Sequence, residues 1–206
     1  MSFVDKIKSS PKLKAVIHRL LIAKNDFRPR LWVRLFVNPF LHKKGRGAII
    51  RFRNRMDVFP FNKFSLGSRS VIEDFVTINN GVGNVIIGED SIIGIGSVII
   101  GPVDIGNNVM IAQNIVISGL NHGYENVDIP PSKQKEIRKQ IRVSDNVWIG
   151  ANSVVTAGVT IGKHCVIGAG SIVTKDVPDY CVAVGNPAKV IKKYSKEHQA
   201  WVGVQL

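Results

Sequence analysis

The amino-acid sequence predicts an all-β solenoid, a parallel β-helix whose coils are built from hexapeptide repeats. Aliphatic residues recur at every sixth position in three runs, which extend from Leu66 to Ile78, from Ile87 to Ile117 and from Val143 to Val173. A period of six fits neither an amphipathic helix nor an alternating hairpin sheet, and it is typical of stacked coils that share one core. The 15 aliphatic positions, taken three to a coil, predict about five coils.

The residues around each aliphatic position predict a short strand followed by a corner. From position 72 to 117 and from 149 to 173, the residue two places before each aliphatic one is Ser, Val, Cys or Ile. Alternation along a strand sends both side chains to the same face. Glycine follows directly at seven positions, which are Gly67, Gly88, Gly94, Gly106, Gly150, Gly162 and Gly168. We predict a positive φ at these glycines, because glycine adopts that conformation without steric cost.

Residues 118–142 interrupt the repeats with 25 residues of polar, proline-containing chain. Unstructured insertions of this length in compact domains are commonly functional. His122 lies near the start of the interruption. The sequence therefore predicts a loop that leaves one corner of the solenoid and carries part of a functional site.

Three regions are predicted along the chain. Residues 1–64 form a basic N-terminal helix and cap, residues 65–177 form the β-helix with its protruding loop 118–142, and residues 178–206 form a C-terminal extension with a helix. Residues 1–69 hold 17 Lys and Arg against three Asp and Glu, a net charge of +14. The remaining residues hold 11 against 12, so the positive charge lies outside the repeats.

A short basic helix is predicted from about residue 11 to residue 24. Its apolar residues share one face, and they are Leu13, Val16, Ile17, Leu20 and Leu21. The sequence leaves two alternatives open: the helix lies on an anionic membrane surface, or it packs on the solenoid as a cap. Further along, basic and apolar residues alternate around Arg51, Arg53 and Arg55, which predicts a strand or an irregular first coil.

Composition and motifs exclude several classes of protein. The N-terminal apolar runs are broken by charges or proline, so they predict neither a membrane span nor a signal peptide. The chain has two cysteines, which are too few for a disulfide framework, so a reducing, cytoplasmic setting is expected. If the N-terminal helix binds lipid, the protein is expected at the inner face of the membrane. No nucleic-acid partner is expected, because neither a recognised motif nor an aromatic platform accompanies the positive charge.

The repeats, the loop with His122 and the closing segment GNPAKVI together resemble the hexapeptide-repeat acyltransferases of the maltose and galactoside O-acetyltransferase type. Within that family the chain is most similar to the branch that acetylates cell-surface polysaccharides. The resemblance covers about residues 65–193. It implies a left-handed β-helix, a homotrimer, and acetyl transfer from acetyl-CoA to a saccharide hydroxyl at sites between neighbouring subunits.

By this resemblance His122 is the general base, which removes the proton of the attacking hydroxyl. Such a step contributes about 10² to 10⁴ in rate. Trp148 occupies an outward position, where it either packs against a neighbouring subunit or forms a wall of the thioester channel. The backbone N–H of Gly150 or of Ala151 is a candidate donor to the oxyanion, and the sequence does not choose between them.

The resemblance also assigns residues to both substrates. Ala151 and Ala169 line the path of pantetheine, and the phosphates of CoA meet Thr174, Lys175 and Lys189. The acceptor is assigned to Asn79, Asn80, Tyr124 and Glu125, although a turn explains Asn79 and Asn80 equally well. Asn186 and Pro187 look like the N-cap and first residue of the C-terminal helix.

No metal is expected, because no close spacing of histidines would assemble a three-histidine zinc site. Two rival functions remain at the level of the sequence. An N-acetyltransferase on an amino sugar would use the same base and donor site. A non-catalytic β-helix that serves as a scaffold is the alternative from a different class.

Overall fold

The computed structural model describes residues 10–23 and 28–204. Three parallel sheets form the three faces of a solenoid, and each successive strand of the chain belongs to the next face. The first face contains Lys43–Lys44, Phe64–Leu66, Val85–Ile87, Val103–Ile105, Ile141–Val143 and Thr160–Ile161. The second contains Ile49–Ile50, Val71–Ile72, Ile92–Ile93, Met110–Ile111, Trp148–Ile149 and Val166–Ile167. The third contains Arg55–Asp57, Thr77–Asn79, Val98–Ile100, Val116–Ser118, Val154–Val155 and Ile172–Val173.

The first and third faces have six strands each, and the second has six before the C-terminal strands join it, so the solenoid has one coil more than the five that were predicted. The additional coil lies within residues 43–57, where the alternation of basic and apolar residues predicted a strand or an irregular coil. Ile50 and Met56 pair with Ile72 and Ile78 and continue the six-residue period. The third equivalent position is Lys44, a charged residue, which is why the period was not recognised there. The solenoid therefore begins inside the region 1–64.

The core contains the two residue classes that the repeat predicted. The recurring aliphatic residues are buried, and so are the residues two positions before them. Serine is tolerated at these inward positions because its hydroxyl donates to a carbonyl of the next coil. Ser70 Oγ donates to Gly88 O at 2.7 Å, and Ser91 Oγ donates to Gly106 O at 2.9 Å.

The glycines after the aliphatic residues have a different role from the one predicted, since none of the seven has a positive φ. They are needed because adjacent coils approach closely: a Cβ at Gly88 would lie 2.5 Å from Gly106 O. Positive φ angles occur two residues further on, three positions after the aliphatic residue. Asn and Asp fill many of these positions, as at Asp90, Asn108 and Asn146, because they tolerate the left-handed region better than most residues.

The N-terminal region contains the predicted helix, α1, at Pro11–Leu21, and the predicted end at about residue 24 lies outside the described residues. It is capped by Ser10, whose Oγ accepts from Leu13 N at 3.4 Å. A second helical segment follows, with a π-helical turn at Val33–Val37 and helix α2 at Asn38–Leu41. This segment covers the open end of the first coil: Val33 is buried, and Asn38 Nδ2 donates to Val58 O at 2.7 Å. Among the described residues, no helix is long and apolar enough to cross a membrane.

The C-terminal region is a correction, because strands replace the predicted helix. Cys181–Gly185 joins the second face, Ala188–Ser195 pairs with it antiparallel, and Ala200–Gly203 completes the sheet. Asn186 and Pro187, joined by a cis peptide, lie in the turn between the first two of these strands. The physical reason is that a solenoid ends in a strand with an unpaired edge, and a returning strand satisfies those backbone groups.

Loop 118–142 contains a short ribbon. Leu120–His122 pairs antiparallel with Glu136–Arg138, and a 3₁₀ turn at Pro131–Lys133 lies between them. Gln134 holds the outer part together, since its Nε2 donates to Asn126 O at 2.8 Å and to Ile129 O at 2.7 Å. The loop is therefore ordered by its own hydrogen bonds, and its base is joined to the solenoid where Gly119 N donates to Ile100 O at 2.9 Å.

Candidate functional site

The corners of the solenoid position the residues that the sequence singled out. The first corner joins the first face to the second, the second corner joins the second face to the third, and the third corner joins the third face to the next coil. Residues at the same corner in successive coils are stacked directly above one another. Each corner thus presents a column of side chains to its surroundings.

His122 extends from the third corner on the ribbon of loop 118–142. It is exposed, and its ring makes no hydrogen bond within the described part of the chain. Its partner across the ribbon is Glu136, which the sequence did not single out because the register of the hairpin is not visible there. Glu136 Oε2 accepts from Arg138 Nη2 at 2.8 Å, so this carboxylate is held by the arginine. The imidazole is therefore free to meet a substrate or a neighbouring subunit.

Tyr124 and Glu125 follow His122 in the same loop and are exposed. Glu125 Oε2 accepts from the backbone N–H of Tyr124 at 3.0 Å, which shapes the turn. Tyr124 is 74% exposed, so it is available for a ligand. Both residues share the third corner with His122.

Asn79 and Asn80 also lie at the third corner, two coils below the loop, but they differ in role. Asn80 is buried: its Oδ1 accepts from Phe59 N at 2.6 Å and its Nδ2 donates to Phe59 O and Asn62 O. Its amide is fully used within the protein, so the assignment of Asn80 to the acceptor is corrected to a structural one. Asn79 is partly exposed, and its Oδ1 accepts from Gly81 N at 2.7 Å. This hydrogen bond forms the turn that the sequence offered as the alternative role of Asn79. Its Nδ2 makes no hydrogen bond within the described residues, so this group is available to a ligand.

Trp148 lies in the outward row of the second face, between Met110 and Val166. Trp148 is 48% exposed. This row is apolar over five coils, and it consists of Val71, Ile92, Met110, Trp148 and Val166. The outward row of the first face is more polar and consists of Ser65, Ile86, Asp104, Arg142 and Thr160. The second face is therefore suited to an apolar contact, and the first face is suited to water.

Ala151 and Ala169 stack at the second corner in successive coils, where Gly170 N donates to Ala151 O at 2.8 Å. The structure distinguishes the two candidate oxyanion donors. Gly150 N already donates to Ile167 O at 2.8 Å, as part of the stacking of the coils. Ala151 N donates to no acceptor in the described residues, so only its N–H is available.

The three residues predicted to meet phosphates are divided between two corners. Thr174 and Lys175 are exposed at the third corner of the last coil. Lys189 is exposed on the strand Ala188–Ser195 and pairs with Val184, which packs against Gly168 at the second corner. Lysine side chains at these places present positive charge to solvent.

The predicted site residues therefore form two groups in one protomer. The third-corner group contains Asn79, His122, Tyr124, Glu125, Thr174 and Lys175, whereas Trp148, Ala151, Ala169 and Lys189 form a group at the second face and second corner. The third face lies between them. Within residues 10–23 and 28–204, no three His, Cys, Asp or Glu side chains cluster in a way that would hold a metal ion.

Comparisons with known families agree with the repeats. Residues 141–175 match the family described as "Bacterial transferase hexapeptide (six repeats)", and residues 84–118 match "Hexapeptide repeat of succinyl-transferase". The galactoside O-acetyltransferase of Lactococcus lactis is 32% identical over 158 residues, which cover 74% of each chain. Identity at this level over this length shows that the two proteins belong to the same family and have the same fold.

Two further similarities extend this result. A putative lipopolysaccharide biosynthesis O-acetyl transferase of Escherichia coli, WbbJ, is 35% identical over 106 residues, 48% of this chain and 54% of WbbJ. The chain thus spans about half the length of this relative. The solved structure of a maltose O-acetyltransferase from Clostridium difficile has a TM-score of 0.56 and 27% identity, covering 92% of this chain and 88% of that one. The fold is the left-handed parallel β-helix that the resemblance implied.

Proposed function

Because the chain belongs to the hexapeptide-repeat acyltransferases, we propose that it transfers an acetyl group from acetyl-CoA to a hydroxyl of a saccharide. The observation that carries the proposal is the division of the site residues into two groups. The third-corner group offers a free imidazole and polar side chains. The other group offers an apolar wall, two small residues and an unused backbone N–H.

The two groups would meet between subunits of a homotrimer. In a closed three-fold ring, each contact joins one surface of a protomer to a different surface of the next. The third corner of one protomer would then face the second corner of its neighbour, which brings His122 opposite Ala151. The apolar outward row around Trp148 supports such a contact, because burying it removes apolar area from water.

In the proposed reaction, the saccharide oxygen attacks the thioester carbonyl while its proton passes to the imidazole of His122. The carbonyl oxygen becomes an oxyanion, and the N–H of Ala151 donates to it. The C–S bond then breaks, the C–O bond of the ester remains, and the proton on His122 passes to the departing sulfur. No redox partner or metal is required for this balance.

The donor site is assigned to both groups. Trp148, Ala151 and Ala169 would line the path of pantetheine, because small residues leave room and an indole provides an apolar wall. Thr174, Lys175 and Lys189 would hold the phosphates through charge-assisted hydrogen bonds. Their places on two corners agree with a CoA molecule that lies in the groove between two protomers.

For the acceptor, Tyr124, Glu125 and the free Nδ2 of Asn79 are the proposed contacts with sugar hydroxyls. Names of relatives support a saccharide, because they include a galactoside O-acetyltransferase and a lipopolysaccharide biosynthesis O-acetyl transferase. A precursor of a surface polysaccharide is the proposed substrate class. We place the reaction in the cytoplasm, because both cysteines are free thiols.

The proposal is tested by incubating the full chain with acetyl-CoA and a panel of saccharides while CoA release is followed. We expect release that depends on the saccharide and a product whose mass increases by one acetyl group, in a linkage cleaved by mild base, as an ester is. A product resistant to mild base and formed only from amino sugars would replace the O-acetyl assignment by N-acetyl transfer. Failure to bind CoA at all would support the scaffold alternative and contradict the proposal.

A further inference from the structure

The helical segment at residues 31–41 is apolar on the side that faces away from the solenoid. Val33 points inward and is buried, but Leu31, Trp32, Leu35, Phe36 and Phe40 are exposed. The exposed fraction reaches 70% for Phe36 and 86% for Phe40. We call these five residues the N-terminal surface. Helix α1 adds exposed Leu13, Val16 and Leu20, and clustering of large apolar side chains in water indicates a binding partner.

The charge around the N-terminal surface has one sign. Residues 28–63 hold ten Lys and Arg, and their single carboxylate is that of Asp57. Asp57 is buried and forms ion pairs with Arg55 at 2.6 Å and with Arg28 at 4.0 Å. Among the described residues, no carboxylate forms an ion pair with Arg34, Lys43 or Lys44, which line the same cavity as Leu31 and Leu35.

A cavity of about 460 Å³ lies between this helical segment and the first coil. Its lining joins the N-terminal surface to the core, with apolar residues such as Leu35 and Met56 and the cations of Arg34, Lys43 and Lys44. Two of its lining residues, Asn38 and His42, each have a buried polar atom, Oδ1 and Nε2, with no hydrogen-bond partner in the described residues. His42 Nδ1 accepts from Phe64 N at 3.3 Å, so the ring proton is on Nε2, which is an unused donor. The recess thus has apolar walls, and one unused donor and one unused acceptor are buried in the residues that line it.

We propose that the N-terminal surface docks on a bilayer that contains anionic phospholipid. Apolar side chains would enter the interfacial region, and Arg34, Lys43 and Lys44 would contact the headgroups. A phospholipid also matches the cavity, since it presents acyl chains and hydrogen-bonding groups together. A symmetric contact between this surface and its own copy fits less well, because it would bring the cations of both copies together without a carboxylate between them. A contact with a different surface of a neighbouring copy is detected by the mass measurement below.

The first test is flotation of the full chain with vesicles of phosphatidylcholine alone or with about 30% phosphatidylglycerol. We expect the protein to float with the anionic vesicles and to be released as salt rises from about 0.1 M to about 0.5 M, because screening weakens the contact with headgroups. Equal binding to both vesicle types, or binding to neither, would overturn the proposal.

The second test uses matched variants. Phe36→Ser combined with Phe40→Ser should lower vesicle partitioning about tenfold or more, because both rings leave the interfacial region. Val127→Ser combined with Val204→Ser removes exposed apolar side chains elsewhere and should leave it unchanged. Lys43→Gln with Lys44→Gln should weaken binding to anionic vesicles only, whereas Lys192→Gln with Lys193→Gln, at the other end of the solenoid, should not.

The outcome also separates lipid from a second copy of the chain. All of these side chains are exposed, so circular dichroism should show folded variants. If the phenylalanine variant keeps full vesicle binding, these rings do not enter the lipid and the proposal is wrong. If it keeps full vesicle binding and also changes the mass in solution by light scattering, the surface is a contact between copies. A blue shift of tryptophan emission on adding vesicles, lost in Trp32→Phe, would place the indole of this surface in the lipid.

Discussion

His122 shows at the scale of one residue what a loop contributes that the solenoid does not. Its ring is exposed at the end of a two-stranded ribbon and has no hydrogen-bond partner in the described residues. This exposure is compatible with the proposed role as a base, because the imidazole is accessible to the hydroxyl of an acceptor. The buried Asn80 is the opposite case, because its side chain is held by three hydrogen bonds and stabilises the turn.

Replacing His122 by Ala should lower turnover by about 10² to 10⁴, because the proton of the hydroxyl would have no acceptor. The dissociation constant of CoA should stay nearly unchanged, since the imidazole is assigned to the acceptor side. Steady-state rates and calorimetric titration with CoA measure the two effects. His198→Ala, at another exposed histidine, is the control and should keep full activity. Unchanged turnover in His122→Ala would remove this residue from the mechanism.

Cys165 is a buried core residue whose Sγ lies 2.9 Å from Pro178 O. Burial raises the pKa of this thiol to about 11. A group with a raised pKa stabilises the folded state fully below its ordinary pKa, and this stability is lost as the pH rises through the folded value. We therefore expect unfolding free energy to fall between about pH 9 and pH 11, by at most about 3 kcal/mol from this group.

Urea unfolding of the wild type and of Cys165→Val tests the expected loss of stability. It is measured at several pH values from 8 to 11, which span the window about the raised pKa. The difference between the two proteins isolates Cys165 from lysines and tyrosines that also titrate. The valine variant should lose less stability across this window. Identical slopes would contradict the shifted pKa of the thiol.

At the scale of the element, the corner of each coil depends on glycine for a steric reason. A Cβ at Gly88 would meet the backbone of the next coil at 2.5 Å, whereas a Cβ at Gly203 would have no atom within 4 Å. Gly88→Ala should therefore lower the unfolding free energy by about 1 to 3 kcal/mol, as overpacking does. Gly203→Ala is the matched control and should change it by less than about 0.5 kcal/mol. Equal stability of both variants in urea would mean that the coils separate easily at this corner.

Other elements show where sequence patterns succeed and fail. Helix α1 and the repeats were predicted because each has a regular period that its side chains reveal. The C-terminal helix was wrong, because Asn186 followed by Pro187 suits a helix start as well as a turn, and only the open edge of the last coil decides between them. The positive φ angles were assigned to the wrong position in each hexad, because glycine is needed both for close approach and for left-handed backbone.

At the scale of the whole molecule, the separation of the two groups of site residues predicts complementation between inactive subunits. His122→Ala lacks the base, and Ala151→Trp blocks the donor path, so each variant should be inactive alone. If the site lies between subunits, mixing the two in equal amounts during refolding should restore about one quarter of the wild-type activity, because one interface in four joins two intact surfaces. A site within one protomer would give no recovery.

The mass in solution provides a separate check on the same proposal. Light scattering should give about three times the 22.7 kDa of one chain. Refolding each variant alone must give the same mass as the wild type, so that lack of activity is not lack of assembly. An active monomer would contradict both the interfacial site and the complementation.

The sequence by itself determined the solenoid, its core residues, the protruding loop and the family, because all of these follow from a period of six and from local motifs. Only the tertiary structure decided that a further coil exists at residues 43–57, that the chain ends in strands, and that Asn80 is structural. It also decided that Ala151 and not Gly150 has the unused N–H. These outcomes depend on which backbone groups of neighbouring coils lie opposite each other. Stacking brings together residues about 18 or more positions apart in the sequence, and no local sequence pattern describes such a pairing.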